Sequence, residues 1–414
     1  MASLARKTLF EDIPRFLVAQ AGIMFAVSLV TLQTGIFNSF ARSTTDLIED
    51  SPADIWVVHK TIINLDQQLP MPYYYLTKAQ RISGIKRAEA LILDTAVWLD
   101  KNEKITLVRL ISFDPQGQLF KPENITQGNV KDLSQPYAVM VDELNLKTLN
   151  VQKTQERAEI NTLPVQIVGM TRGNTSITAN TFVFTSLENA NTYLNSGFQS
   201  SLNCKLGSDS GEIECSNIRI KTPENQLPPK PAPLDAADSI TFILVSVAEN
   251  TDLDKVKAEL EANLPDTRAF TKEEIANLNR TFWLQRTGIG FILGLGATVG
   301  IIVGIAIVGQ ILYASVSSHI KEFGTLKAMG ASNKYIYGII IEQALWMAIL
   351  GYFPSLALCL GVSSWAAATQ GILILITPTT AILVFGVTVG MCVGSAFFAI
   401  QRVTRVDPAI VFKA

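Results

Sequence analysis

Four stretches of this chain are long and apolar enough to cross a hydrocarbon core ~30 Å thick, which takes about 20 helical residues. They run roughly Phe16–Phe40, Gly288–Val316, Ile336–Val362 and Ala381–Ile400. This predicts a membrane protein with four transmembrane helices and a large mixed α/β extracytoplasmic domain between the first and second. Hydrophobic residues make up 48% of the 414, which fits lipid as part of the solvent. A net charge of −2 offers no general argument for nucleic acid, so the useful charge information lies in its position along the chain.

Basic residues in short flanks set the expected orientation. Arg6, Lys7 and Arg15 precede the first span, Lys321, Lys327 and Lys334 lie between the second and third, and Arg402, Arg405 and Lys413 follow the fourth. The connection from Thr369 to Thr380 has none. Both termini and the segment after the second span are therefore expected in the cytoplasm. The first span is too long for a secretory apolar core and reads as an uncleaved anchor. The expected order is 1–41 for the N-terminus and first span, 42–283 for the outside domain, 284–316 for the second span and 317–335 for a cytoplasmic helix. The third span at 336–362, a short outside loop at 363–380, the fourth span at 381–400 and a tail at 401–414 complete it. In the fourth span Gly386, Gly390 and Gly394 carry the small-residue spacing that lets membrane helices approach closely.

The outside domain reads as strands separated by turns and helices. "ALILDTAVWLD" and "ITLVRLISF" are expected to pair across the turn "KNEK", and "DIWVVHK", "LPVQIVGM" and "TFVFTSL" are further strands. "DLDKVKAELEANL" carries Leu253, Val256, Leu260 and Leu264 at helical spacing, with Asp252 or Thr251 as N-cap. A distal lobe at roughly 85–220 and a membrane-proximal lobe formed by 42–84 and 240–283 are expected on either side of the segment 221–239, which holds five prolines between Pro223 and Pro233. Its composition suits a semi-rigid joint or a long surface loop equally. Cys359 and Cys392 fall in spans, where an isolated thiol acts as a small hydrophobe. Cys204 and Cys215 flank a turn-rich stretch outside, where they are either a hairpin-closing disulfide or two free thiols. No further Cys or His is near enough in sequence to complete a zinc site, so no metal is expected.

Catalytic motifs are absent. The dipeptide Gly-Lys does not occur, so there is no P-loop, and neither H-E-x-x-H nor G-x-S-x-G is present. His59 and His319 fall on opposite sides of the membrane in this topology. Within the spans Glu342, beside Gln343, is the principal ionisable candidate, and a place near the headgroups paired with Lys334 or Lys327 accounts for it. Gln20, Gln33 and Gln310 are expected to make interhelical hydrogen bonds. The remaining feature is "KEFGTLKAMGAS", polar and glycine-broken between two apolar runs. Ile320, Phe323, Leu326 and Met329 give a short helix with an apolar arc, Gly330 can end it in the left-handed conformation, and Ser332 can cap the next helix. Such a helix could lie on the bilayer or be a knob for a partner.

"EFGTLKAMGAS", followed by "IIIEQALWMAILG" and the closing "RVTRVDPAIVF", resembles the FtsX/MacB family of ABC transporter permeases, which shows E-I-G-x-x-(K/R)-A-(L/M)-G-A-(S/T) after its second span, a Glu early in the third and a basic r-x-D-P-A tail. Within it the chain looks most like the DevC-type permeases of cyanobacterial heterocyst glycolipid export. The resemblance covers the whole chain, although "GYFPS" replaces the glycine-rich pattern usual after the third-span Glu, and Pro354 is expected to kink that helix. It implies a homodimeric, non-catalytic membrane subunit that uses ATP and Mg only through a separate ABC ATPase. That ATPase would grip Lys321, Glu322, Phe323, Gly324, Leu326, Lys327, Met329 and Gly330. It further implies a tripartite export pump in the inner membrane, with a periplasmic adaptor and an outer-membrane TolC-like channel, carrying a lipid or glycolipid. The family alternatives are release of lipoproteins and control of a cell-wall hydrolase without export.

Overall fold

The computed structural model describes residues 13–151, 158–173, 181–196, 200–206, 213–219, 229–370 and 374–404. They divide into two compact units, one made of Phe40–Arg286 and one of Met1–Ser39 with Thr287–Ala414.

The first of these is the α/β domain. Its strands are β1 (Ile55–His59), β2 (Met71–Pro72), β3 (Ile85–Leu99), β4 (Ile105–Phe113), β5 (Ile125–Gln127), β6 (Ala138–Asp142) and β7 (Ala158–Ile160). They continue with β8 (Leu163–Thr171), β9 (Thr181–Ser186), β10 (Ser200–Leu206), β11 (Ile213–Arg219), β12 (Ser239–Ile240), β13 (Phe242–Val247) and β14 (Thr267–Thr271). Ten of them form one sheet in the order β14-β1-β13-β3-β4-β9-β6-β8-β5, with β7 set against β3 and β8. Pairing is antiparallel except for β4 with β9 and β6 with β8. The expected hairpin forms as read, with Leu99 opposite Ile105 and Ile92 opposite Ser112.

Alternation along the strands divides the core, since neighbouring side chains leave a strand on opposite faces. Trp56, Leu91, Leu93, Ile111, Phe113, Phe184, Phe242 and Phe270 pack together on one face. On the other, Ile55, Val57, Ala90, Ile92, Ile243 and Val245 form one cluster, and Trp98, Val108, Leu110, Val139, Val141 and Val183 another. Burial of such side chains contributes roughly 1.5–3 kcal/mol each, an upper bound against a fully extended unfolded chain.

The expected boundary between lobes falls at the start of β3, and that strand joins them. Residues 85–91 pair with β13 and 92–99 with β4, so the sheet is continuous. The cluster around Trp56 and Phe270 also includes Ile111, Phe113 and Phe182 from the distal segment. Of the proline-rich connector, 221–228 lies outside the described residues, and the Tyr137 hydroxyl donates to the Pro229 carbonyl.

Helix ends follow local chemistry. The side chain of Asp252 caps Leu253–Asn263 by accepting from Asp254 N at 3.1 Å. Thr271 and Glu274 cap Lys272–Thr281 reciprocally. A π-turn over Phe282–Arg286 follows.

In the second unit four helices are long and apolar enough to span a membrane: Phe16–Ser43, Ile289–Ser318, Asn333–Ala367 and Pro378–Phe397. The third runs through Pro354 without a break in its assignment. Their core holds Ala19, Ile23, Ala26, Val308, Leu312, Ile339, Ile340, Met347, Val384 and Cys392. Close approach is made by glycines of the first three spans: a Cβ on Gly22 would lie 2.4 Å from Ile307 Cγ2, and one on Gly351 2.5 Å from Ile23 Cγ2. The fourth-span glycines Gly386, Gly390 and Gly394 have nothing within 4 Å of that position, so among the described residues the expected small-residue contact is made elsewhere.

Candidate functional site

Ile320–Ala328 forms a separate short helix after the second span. His319 marks the break, with φ −101° and ψ 21°, and its ring Nδ1 lies 2.9 Å from the Ser315 carbonyl. The helix closes with both bonds of a Schellman motif: Ala331 N donates to Leu326 O at 2.9 Å and Gly330 N to Lys327 O at 3.0 Å. Gly330 has φ +90°, a conformation that costs a side-chain-bearing residue about 1–2 kcal/mol. Ser332 then caps the third span, its hydroxyl accepting from Tyr335 N at 3.3 Å. The segment is thus bounded by a break at His319 and a Schellman stop at Gly330.

The residues expected to bind a partner divide into two faces. Phe323 is only 5% exposed and packs in the helical core that includes Val316, Ile336 and Ile340. Gly324 is buried beside it, and Leu326 and Lys327 are half-buried. The outward face consists of Glu322, Thr325, Gly330 and Met329, the last 72% exposed. The Lys321 side chain lies outside the described residues. The apolar arc legible in the sequence thus faces this chain's own spans at Phe323, and Phe323 cannot serve as a contact for a partner without leaving that core.

Other candidates are placed as follows. Glu342 is half-buried and, among the described residues, makes no salt bridge to Lys334 or Lys327. Its neighbour Gln343, 1% exposed, has neither amide atom hydrogen-bonded. Among the described residues the interhelical bonds expected of Gln20 are likewise not made, and Gln33 Oε1 has no partner. Gln310 is exposed. Cys359 and Cys392 are buried free thiols. Cys204 and Cys215 are register partners in the β10–β11 hairpin, although nothing is described of their side chains. His59 Nδ1 lies 2.8 Å from Thr61 Oγ1.

A cavity of about 490 Å³ opens beside the start of β3, lined by Tyr73, Gln80, Arg87, Glu89, Asp114 and Glu188 among others. Much of its charge is already committed. Arg87 pairs with Glu89, whose oxygens also accept from Gln118 N at 2.8 Å and Leu119 N at 2.9 Å. Burial, with Glu188 and Asp114 nearby, pushes the Tyr73 hydroxyl up, so it stays neutral at ordinary pH.

A junction that no sequence pattern marked sits in the α/β domain. Asn279, 2% exposed, lies on the helix Lys272–Thr281 and bonds two distant segments. Its Oδ1 accepts from Leu65 N at 3.1 Å and its Nδ2 donates to the Thr44 carbonyl.

Two family models match this chain. The family described as MacB-like periplasmic core domain matches residues 16–263, and the one described as FtsX-like permease C-terminal matches 294–408. The macrolide export ATP-binding/permease protein MacB of Hyphomonas neptunium is 28% identical over 142 residues, which is 34% of this chain and only 22% of that relative's length. The periplasmic region of MacB from Actinobacillus actinomycetemcomitans is similar at TM-score 0.33 and 11% identity, covering 54% of this chain and 91% of that one. The extracellular domain of the noncanonic ABC-type transporter YknZ from Gram-positive bacteria gives TM-score 0.33 and 9% identity, covering 52% and 98%.

Proposed function

Because this chain belongs to the family of the MacB-like periplasmic core domain and carries an FtsX-like permease C-terminal region, we propose that it is the membrane subunit of an ABC-type export pump driven by an ATPase on another chain. The α/β domain is then periplasmic, both termini are cytoplasmic, and the helix Ile320–Ala328 is the part the ATPase grips. Two copies assemble with two ATPases, a periplasmic adaptor and an outer-membrane channel. The cargo is a lipid or glycolipid presented on the outer side. ATP and Mg bind the ATPase.

One observation carries this reading. The segment after the second span is bounded at both ends, anchored inward by Phe323, and presents Glu322, Thr325 and Met329 outward. An amphipathic helix built only to rest on lipid would turn its apolar arc to the bilayer. Here Phe323 is spent on the spans, while an acidic residue and a long apolar side chain face out as a knob would. A push on such a knob moves the second and third spans as levers, because packed helices shift between discrete arrangements more readily than they deform. Cargo need not cross between the spans, which suits a helical core that carries no run of charges.

The test separates the two faces. Glu322→Lys with Met329→Asp leaves the buried face intact and is expected to abolish co-purification of the ATPase and nucleotide-dependent export, with unchanged thermal stability in detergent. Undiminished co-purification and export by that double variant would remove the docking assignment. Pull-down of an adaptor by the full chain tests the tripartite assembly separately.

A further inference from the structure

The α/β domain contains one buried chain of directional contacts that begins where the helix of the first span ends. That helix closes at Ser43, and the carbonyl of Thr44, itself 4% exposed, accepts from Asn279 Nδ2. Asn279 stands near the end of the helix that leads through the π-turn toward the second span. Its other amide atom, Oδ1, holds Leu65 N. Leu65 belongs to a tight turn in which Asn64 pairs with Gln67 and Asn64 Oδ1 accepts from Asp66 N at 2.7 Å. Asp66 in turn forms an ion pair with Arg109 of β4, whose side chain is 8% exposed. Burial pushes the Asp66 carboxyl up and the Arg109 guanidinium down, and each is drawn back toward its charged form by the other.

The contacts that join the members are directional, although Asn64 Nδ2 and Arg109 Nε make no hydrogen bond among the described residues. A buried carbonyl or N–H left without a partner is destabilising, and so is a largely buried ion pair broken on one side. The linkage therefore resists being pulled apart at any point. Asn279 contacts partners 235 and 214 residues away in sequence, and uses one donor on one and one acceptor on the other. A helix end that merely needed capping would be satisfied by a donor with no second obligation. Exposed contacts run alongside, such as Arg280 with Glu49 at 2.9 Å, but exposed pairs hold loosely.

We propose that Asn279 is the positioning residue that delivers movement of the two membrane helices to the sheet, through the turn at Leu65 and Asp66 to Arg109. The proposal rests on the export reading, since it assumes that the helices are moved by nucleotide. Displacement of Thr44 relative to Asn279 changes the pull on Leu65, and the ion pair passes it to β4, the neighbour of both β3 and β9.

The test is peptide-level hydrogen exchange on the full chain in nanodiscs, alone and with its co-purified ATPase, with and without ATP and vanadate. Asn279→Leu and Asp66→Asn are each expected to speed exchange across 60–70 about tenfold, and the double variant no further than the larger single effect. Additive effects would overturn a single linkage. Asn279→Asp keeps the acceptor for Leu65 N and loses the donor to Thr44. It is expected to leave 60–70 protected and ATP turnover unchanged, while abolishing the nucleotide response across 105–113 seen in the native complex. A native-sized response in Asn279→Asp overturns the role of Asn279 alone. No response in the native complex overturns the export reading and, with it, the transmission.

Discussion

Two equally buried amides, one in each unit, differ in how they are bonded. In the α/β domain Asn189, 1% exposed, is saturated: its Nδ2 donates to Leu133 O at 3.0 Å and Gln135 O at 2.9 Å, and its Oδ1 accepts from Tyr137 N at 2.9 Å. In the helical unit Gln343, equally buried, bonds nothing through either amide atom. The reason lies in how each unit satisfies its backbone. Long helices close their own hydrogen bonds, so a span requires only shape from its neighbours. A sheet domain has loops whose carbonyls and N–H groups must find side chains, and the asparagines supply them. Directional bonds also join the spans, as where Ser395 Oγ donates to Ile305 O at 3.0 Å, but close approach there rests as well on glycine contacts such as Gly22 on Ile307.

The largest effect expected from this contrast is on Asn189. Asn189→Leu removes a hub and leaves Leu133 O and Tyr137 N without its bonds, at about 1–3 kcal/mol each, so a loss on the order of 4 kcal/mol is expected, while Gln135 O keeps Ala138 N at 3.2 Å. Limited proteolysis of the full chain, read at the segment 130–140, should show it as accelerated cleavage. Cleavage at the native rate would mean that the loop satisfies itself without Asn189.

The matching substitution in the helical unit should have the opposite sign. Gln343→Leu replaces two unbonded amide atoms by carbon of similar volume, which is neutral or stabilising by about 1 kcal/mol. Thermal unfolding in detergent should show an unchanged or higher midpoint. A clear fall would show that the amide is bonded in the assembled protein, and would erase the distinction drawn between the two units.

The same contrast governs what could be read in advance. The spans, the β3–β4 hairpin, the Asp252 cap and the Gly330 stop were legible because each depends on neighbours in sequence: apolar length, a polar turn, a cap two residues from its partner, a positive φ. The continuity of the sheet through β3 was not, because a strand of 15 residues that changes partner midway has the same apolar pattern as one that does not. Nor was Asn279, whose partners lie more than 200 residues away and whose own segment reads simply as a polar helix. The helix at Ile320–Ala328 falls between. Its periodicity gave the apolar arc, but not whether lipid, a partner or this chain's own spans cover it, and Phe323 is covered by the last.

The smallest expected effect tests whether the edge of the α/β domain nearest the first span behaves like its interior. Asp50 reaches solvent, yet partial burial, with Glu123 and Asp46 close by, raises its carboxyl to about 6; Glu49 adds to this and Arg42 opposes it. Asp46 is raised too, by burial above all. A raised carboxyl favours the protonated folded form, so its contribution is present below the ordinary value near 3.8 and is lost as pH rises through about 6. Carboxylates held down by partners, such as Glu143 beside Thr126 and Arg172, have the opposite sign and lose their contribution only at lower pH. Between about pH 4 and 6 the segment 44–51 should therefore become better protected on acidification while the sheet does not. Hydrogen exchange corrected for intrinsic rate should show this, and Asp50→Asn should flatten it. A pH response shared equally by segment and sheet would mean that the edge titrates with the whole domain, and that Asp50 senses no local charge of its own.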